Sequence, residues 1–180
     1  MRIISGDFKN RRIDFKQINI RPTTDFAKES LFNILHNYYE FEDLIVLDLF
    51  AGSGNISYEF ASRKVKEITS VDNNAKCINF IKSTQHRLEI KNLIPILTNV
   101  SSYLNRIDNK YDLIFADPPY SYPQDNYNKL IERIFKKNIL LENGMLILEH
   151  SKFVNFEEHK YFYMKKKYGN VQFTFFKIQE

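Results

Sequence analysis

The chain has 180 residues, of which 43% are hydrophobic and 27% charged, values that suit one soluble globular domain, and the length is too short for two. Twenty-six Lys and Arg against 22 Asp and Glu give a formal net charge of +4, which suits a polyanionic partner without requiring one. The N-terminus lacks the apolar stretch of a signal peptide, and no apolar run approaches the ~20 residues of a membrane helix. The single cysteine, Cys77, excludes an internal disulfide, so we expect a cytoplasmic protein.

The N-terminal region is rich in arginine. Residues 2–5 and 11–15 predict a small β-hairpin around Gly6 and Asp7, and the turn RPTTD at 21–25 offers Thr24 or Asp25 as a cap for a helix through Tyr38. Arginine binds phosphate in a bidentate manner, although an ordinary solvated basic face is an equally good interpretation. The arginines that we expect to contact nucleic acid are Arg2, Arg11, Arg12 and Arg21.

Apolar runs of strand length then alternate with helical patterns. The predicted strands span 44–50, 67–72, 93–98, 112–117 and 144–150, and the predicted helices span 55–63, 75–88, 101–107 and 127–135. Residues 160–168 and 171–178 predict a C-terminal antiparallel hairpin turning at Gly169-Asn170. The alternation predicts a doubly wound α/β fold with a mostly parallel, seven-stranded, Rossmann-like sheet. We expect a main domain at 41–180 and an N-terminal hairpin and helix extension at 1–40 that packs on it.

A glycine turn, DLFAGSGN at 48–55, follows the first strand. Gly52 and Gly54 allow a sharp bend and close approach to a ligand, and Asp72 ends the next strand, where an acid can bind ribose hydroxyls. A nicotinamide cofactor would need a third glycine where Ser57 stands, and Asp48 beside the turn suits the cationic S-adenosylmethionine better than a pyrophosphate. A plain strand-to-helix turn is the alternative interpretation.

The tetrapeptide Asp117-Pro118-Pro119-Tyr120 follows the fourth strand, at the same predicted sheet edge. Two prolines stiffen this segment, so that the Asp117 carboxylate and the Pro118 carbonyl become fixed acceptors for the two hydrogens of a planar amino group. Tyr120 offers a flat face for an extruded base. The alternative is a rigid loop with Tyr120 in a small satellite core.

These segments resemble the RsmD-type family of small-subunit ribosomal RNA (guanine-N2)-methyltransferases. The resemblance runs essentially end to end, through RIISG…RRI, RPTTDFAKESLFNIL (21–35), VLDLFAGSGNISYEFASR (46–63), DLIFADPPY (112–120), LEHS (148–151) and the final YGN…FTFF segment. It implies methyl transfer from S-adenosylmethionine to guanine N2, with ribosomal RNA or a small-subunit assembly intermediate as partner. We expect a monomer with no membrane association.

The resemblance also implies roles for individual residues. Asp117, Pro118 and Tyr120 would be catalytic, and Gly52, Gly54, Asp72 and Asn99 would bind the cofactor, to which the reasoning from charge above adds Asp48. Arg21, Thr23 and Asp25 would lie over the pocket. At Asn99 the family commonly has an acid that accepts from the adenine amino group, and the Asn99 side-chain carbonyl can take that place.

Two other functions stay open: an adenine-N6 or DNA amino methyltransferase, and a non-catalytic RNA-binding assembly factor with the same fold. The small size and the lack of a target-recognition domain argue against the first. The intact Asp117 and glycine turn argue against the second. We expect His150 to be a hydrogen-bonded structural histidine, and we expect no metal because no histidine has metal-ligand spacing.

Overall fold

The structure is a computed structural model that describes residues 1–15 and 23–178. The strands, in chain order, are β1 (Ile45–Leu49), β2 (Glu67–Asp72), β3 (Leu93–Leu97), β4 (Tyr111–Ala116), β5 (Leu140–Ser151), β6 (Phe162–Tyr168) and β7 (Val171–Phe176). The helices are α1 (Asp25–Leu35), α2 (Asn55–Ser62), α3 (Ala75–Arg87), α4 (Val100–Arg106) and α5 (Gln124–Lys136). The elements predicted from hydrophobic periodicity are confirmed with small shifts at their ends.

The strands form one sheet in the order β3-β2-β1-β4-β5-β7-β6. The first five are parallel, and β7 pairs antiparallel with both β5 and β6. Because β1 lies between β2 and β4, the chain reverses its direction of winding there. Ligands of such sheets bind beyond the carboxyl ends of the strands at this reversal point.

Each face of the sheet is covered by its own apolar cluster. One face carries α1, α2 and α3, where Ile3, Ile13 and Leu31 share a cluster with Val46 and Leu113. The other face carries α4 and α5, and its cluster includes side chains from β1, β4 and β5. The segment before β1 therefore shares a core with the sheet.

The predicted N-terminal hairpin is wrong in one respect: residues 1–15 contain a single antiparallel bridge, Arg2 with Arg12, and no pair of regular strands. The reason lies in α2, because the Glu59 carboxylate accepts hydrogen bonds from the amides of Ile4 and Ser5 at 2.9 and 3.1 Å. Amides bound to a side chain cannot continue a strand ladder. Gly6 fits against the end of α2, where a Cβ would lie 1.8 Å from the Ser62 carbonyl oxygen.

Polar residues predicted at helix ends and in the core have clear partners. Thr24 caps α1 by accepting a hydrogen bond from the Ala27 amide at 3.2 Å, which settles the choice between Thr24 and Asp25. The prediction of a structural His150 is confirmed, since its two ring nitrogens lie 2.9 Å from the Ser151 carbonyl and 2.7 Å from the Thr174 hydroxyl. Within the described residues, no helix is long and apolar enough to cross a membrane.

Candidate active site

The glycine turn joins β1 to α2 through three residues with left-handed backbone. Phe50, Gly52 and Gly54 have φ values of +61°, +54° and +78°. Gly54 is the N-cap of α2, and a Cβ there would lie 2.8 Å from the Tyr58 ring, so both its conformation and its packing require glycine. Phe50 has no such freedom, and non-glycine residues in this region cluster at functional sites.

Asp72 holds this turn in place. One of its carboxylate oxygens accepts from the Gly52 amide and the other from the Asn74 amide, each at 2.8 Å. Each oxygen retains a second lone pair, so the predicted contact with ribose hydroxyls stays compatible with this arrangement. Asn99 lies exposed beyond β3 and also has a structural role. Its side chain caps α4 by accepting a hydrogen bond from the Ser101 amide at 2.8 Å. Its contact with an adenine amino group stays a prediction.

Asp48 is 1% exposed under the turn. Its Oδ2 accepts a hydrogen bond from Ser57 at 2.5 Å, whereas its Oδ1 has no hydrogen-bond partner. Burial raises the pKa of Asp48 to about 7, and the negative charges of Asp72 and Glu149 add to the effect. A buried acid with an unpartnered oxygen beside the glycine turn suits a ligand that brings positive charge or a hydrogen-bond donor.

The tetrapeptide continues β4 beyond the sheet. The Asp117 amide donates to the Leu49 carbonyl at 3.3 Å, which holds Asp117 beside the start of the glycine turn. The Tyr122 amide closes the segment by donating to the Pro119 carbonyl at 2.8 Å. The Tyr122 ring then packs edge-on against Phe50, with ring centroids 5.6 Å apart. The two loops predicted to meet are therefore in direct contact.

Three carboxyl groups share one face of the sheet at this edge. Ala116 pairs with Leu148 in register, so Asp117 lies opposite Glu149, and both side chains point to the same face as Asp48. Burial raises the pKa of Asp117 well above its usual value, and the charges of Glu149 and Asp48 raise it further. Burial also raises the pKa of Glu149, to about 7. The three groups therefore hold protons more readily than ordinary acids.

Thr23 connects these three carboxyl groups to the glycine turn. Its hydroxyl donates to Glu149 Oε2 at 2.6 Å, and its carbonyl accepts from the Asn55 side-chain amide at 3.0 Å. Asn55 is the first residue of α2. Of the residues placed over the pocket by resemblance, Thr23 thus lies between the ends of β1 and β5.

The arginines predicted to contact nucleic acid lie in different surroundings. Arg2 pairs with Asp25 at 3.5 Å, and both side chains are partly exposed. Arg11 and Arg12 are exposed. Arg21 lies outside the described residues. Nucleic-acid contact by these arginines stays a prediction.

Some residues of the site were not anticipated. Glu149 was quoted only as part of LEHS, although an acid at the end of a buried strand is itself unusual. Lys28 is fully buried and donates to the Arg2 carbonyl at 2.6 Å and to the Asn55 side chain at 2.8 Å. It also pairs with Glu59 at 3.3 Å. Neither role can be found from local sequence, because each depends on contacts between distant segments.

The hydrogen-bond acceptors of the site fit S-adenosylmethionine. The unpartnered Asp48 Oδ1 and the acidic surroundings suit its cationic amino-acid portion, and the positive φ values of Gly52 and Gly54 give the sharp bend between β1 and α2. Within the described part of the chain, no three His, Cys, Asp or Glu side chains are placed to hold a metal ion.

Comparison with known proteins also points to a methyltransferase. The family model described as Conserved hypothetical protein 95 matches residues 1–177. Ribosomal RNA small subunit methyltransferase D of Buchnera aphidicola from Acyrthosiphon pisum is 38% identical over 152 residues, covering 83% of this chain and 78% of that protein. The same enzyme of Buchnera aphidicola from Baizongia pistaciae is 33% identical over 156 residues, covering 86% of this chain and 78% of that protein.

Solved structures agree on the fold. A hypothetical protein of Thermus thermophilus superposes with a TM-score of 0.87 at 20% identity, covering 99% of each chain. The Thermus thermophilus 16S rRNA N2 methyltransferase RsmC, in complex with AdoMet and guanosine, has a TM-score of 0.70 at 19% identity, covering 90% of this chain and 45% of that one. S-adenosylmethionine is the cofactor, as the sequence predicted, and the chain belongs to the RsmD family of methyltransferases.

Proposed function

We propose that this chain transfers a methyl group from S-adenosylmethionine to the exocyclic N2 amine of a guanine in small-subunit ribosomal RNA. The observation on which this depends is the placement of Asp117 beside the glycine turn, on the same sheet face as Asp48 and Glu149. The names of the relatives support ribosomal RNA as the substrate. The guanosine bound to RsmC, an N2 methyltransferase of the same fold, supports guanine N2.

S-adenosylmethionine supplies an electrophilic methyl group on a sulfonium sulfur. The chain's own contribution is to position the amine. The Asp117 carboxylate and the Pro118 carbonyl accept the two N–H hydrogens, which orients the nitrogen and directs its lone pair toward the cofactor side. The closed turn from Pro119 to Tyr122 keeps these acceptors in place.

Asp117 also has the properties of a proton acceptor. Methyl transfer would form the N–C bond and break the methyl–sulfur bond, leaving a neutral thioether and a positively charged nitrogen that must lose one proton. Because burial and neighbouring charges raise the pKa of Asp117, its carboxylate takes a proton more readily than an exposed aspartate. Tyr120, exposed at the end of the tetrapeptide, offers its ring to the extruded base.

The test is transfer of labelled methyl groups to ribosomal RNA and small subunits from cells that lack the protein, followed by mass spectrometry of the nucleosides. We expect N2-methylguanosine from the wild type and a roughly hundred-fold or greater loss with Asp117→Ala, comparable to removing one oriented group from an active site. Asp117→Asn keeps an accepting oxygen but loses the proton acceptor, so it separates positioning from proton transfer.

Asp112→Asn is the matched control. Asp112 lies on the same strand at the opposite sheet edge, where its side chain accepts from the Ile45 amide at 2.8 Å. This variant should keep its methyl transfer. Full activity in Asp117→Ala would remove Asp117 from the mechanism, and label in another nucleoside, such as N6-methyladenosine, would contradict the guanine assignment.

A further inference from the structure

We infer that Phe26, Tyr120 and Phe153 form an aromatic surface on which single-stranded RNA stacks, with the target base on Tyr120 and the nucleotides flanking it on Phe26 and Phe153. The inference rests on the proposed function and extends it from the target base to the neighbouring RNA. No role in binding was predicted for Phe26 or Phe153 from the sequence. The name aromatic surface is kept below for these three residues.

These side chains are unusually open to solvent for aromatic residues. Phe153 is 87% exposed, Phe26 67% and Tyr120 66%. Exposure of a single apolar residue needs no explanation, but three exposed aromatic residues at the sheet edge that carries a functional site do. In the described chain, one other aromatic residue is comparably open: Tyr38, at 44%.

The sheet order brings the three residues of the aromatic surface to one half of one edge. Tyr120 follows β4, and Phe153 follows β5, which ends at Ser151. Phe26 lies in the first turn of α1 and packs edge-on against Tyr168, the last residue of β6, with ring centroids 5.9 Å apart. Since β4, β5, β7 and β6 all lie on one side of β1, the three rings lie on the side of β1 away from β2 and Asp72.

The charges around these rings favour RNA. Lys152 places its ammonium nitrogen 5.3 Å from the centre of the Phe153 ring. Lys166 and Lys167 are exposed near the end of β6, at the same edge. Aromatic rings for bases with lysines for phosphates are what single-stranded nucleic acid requires. A protein partner fits less well, because protein interfaces are depleted in lysine.

The geometry also favours unpaired nucleotides. Bases stack on a protein ring only where their faces are free, and sequence-specific RNA recognition mostly uses such unpaired segments. Rings set apart at the ends of two strands and one helix can each take one splayed base. A continuous duplex would present only backbone and groove edges to them.

The test is the affinity of the whole protein for a labelled single-stranded RNA of about a dozen nucleotides, compared with a duplex of the same length. Phe153→Ala and Phe26→Ala should each weaken single-strand binding by ~5- to 100-fold, the range found for removing one stacking ring. Phe153→Trp should retain binding, and Phe153→Leu, which keeps apolar bulk without a π face, should not. S-adenosylmethionine affinity should be unchanged in all four variants.

Tyr38→Ala is the control, because Tyr38 lies at the opposite sheet edge, on a cleft of about 700 Å³. Full RNA affinity in Phe153→Ala and Phe26→Ala, an equal loss in Tyr38→Ala, or a loss confined to duplex RNA would each overturn the inference. Phe26→Leu keeps much of the packing against Tyr168 and guards against a folding defect in Phe26→Ala. An error in the guanine assignment would appear as a different methylated nucleoside and would leave these affinities as expected.

Discussion

Thr23 and Glu149 lie 126 residues apart in sequence, yet the threonine hydroxyl donates a 2.6 Å hydrogen bond to the glutamate Oε2. The bond links the segment before α1 to the carboxyl end of β5. Because both residues are buried, their interaction is shielded from water and is stronger than a similar bond at the surface. It therefore joins the N-terminal segment to the acidic side of the site.

Replacing Thr23 by valine tests this link. Valine has a similar shape but no donor, so the unfolding free energy should fall by ~1–3 kcal/mol, the usual cost of leaving a buried acceptor without its partner. The loss should be larger above pH 7, where Glu149 is ionised, than at pH 5.5. Denaturation in urea at both pH values measures it.

The control for that experiment is Thr24→Ala, which removes the cap of α1. It should cost ~0.5–2 kcal/mol, independently of pH. If Thr23→Val also showed the same loss at both pH values, the bond to a titrating carboxyl group would be contradicted.

The raised pKa values predict how stability depends on pH. Asp48 and Glu149 titrate at about 7 in the folded protein, against ordinary values of 3.8 and 4.5. The folded state therefore binds more protons than the unfolded state between about pH 4 and 7, so the unfolding free energy should fall as pH rises through that window. Thermal or chemical unfolding across this range measures the slope.

Glu149→Gln should make this slope shallower, because one of the two groups no longer titrates. Glu157→Gln is the comparison: Glu157 is exposed, and its ion pair with Lys165 lowers its pKa, the opposite direction. A slope that is unchanged in Glu149→Gln would show that Glu149 is ionised throughout the window.

Alanine substitutions at Gly54 and Gly169 can be compared to test whether the glycine turn requires glycine. Both have positive φ, but a Cβ at Gly54 would lie 2.8 Å from the Tyr58 ring, whereas a Cβ at Gly169 would have no neighbour within 4 Å. Gly169→Ala should cost ~1–2 kcal/mol from backbone strain alone. Gly54→Ala should cost ~1–3 kcal/mol more, from overpacking, and should also weaken binding of S-adenosylmethionine.

Equilibrium denaturation measures the loss of stability in each variant, and calorimetry measures the affinity for S-adenosylmethionine. Equal destabilisation by the two alanines would mean that α2 shifts freely away from the added methyl group. Unchanged cofactor affinity in a folded Gly54→Ala protein would remove this turn from the cofactor site.

The buried ion pair between Lys28 and Glu59 leads to a prediction about stability. Lys28 and Glu59 lie 3.3 Å apart with no exposed side-chain surface. Lys28→Met should lower the unfolding free energy by ~1–3 kcal/mol, since the Arg2 carbonyl and the buried Asn55 side chain lose their donor while Glu59 keeps its pair with Arg63 at 3.0 Å. Lys64→Met is the control, because it removes only a partly exposed pair with Asp7 at 3.6 Å and should cost at most ~1 kcal/mol. Similar losses in the two variants would contradict a structural role for the buried pair.

Much of the fold could be predicted because local patterns determine it. The run EITSVD at 67–72 has the bounds of β2, and the glycines of DLFAGSGN could be recognised because only a tight turn after a buried strand requires them. The meeting of this turn with Asp117 followed from one rule, that carboxyl ends of parallel strands share an edge.

The remainder depends on contacts that local patterns do not describe. The hairpin predicted at residues 2–15 reduces to one bridge because Glu59, on a helix more than fifty residues away, binds the amides of Ile4 and Ser5. Lys28 looks like a solvated lysine in the sequence, and only the packing of α1 on α2 shows it to be buried. Glu149 was missed as a site residue for the same reason: its partner Thr23 is brought to it by tertiary packing.

The placement of β7 between β5 and β6 has a consequence for the order of assembly. β6 is made first, but it pairs with β7 and with no earlier strand of the described sheet. It therefore cannot join the sheet before the chain has passed the Gly169 turn and β7 has been made, because only β7 links it to β5. The exposed lysines of β6 that we assign to RNA are thus held on the sheet through β7 alone.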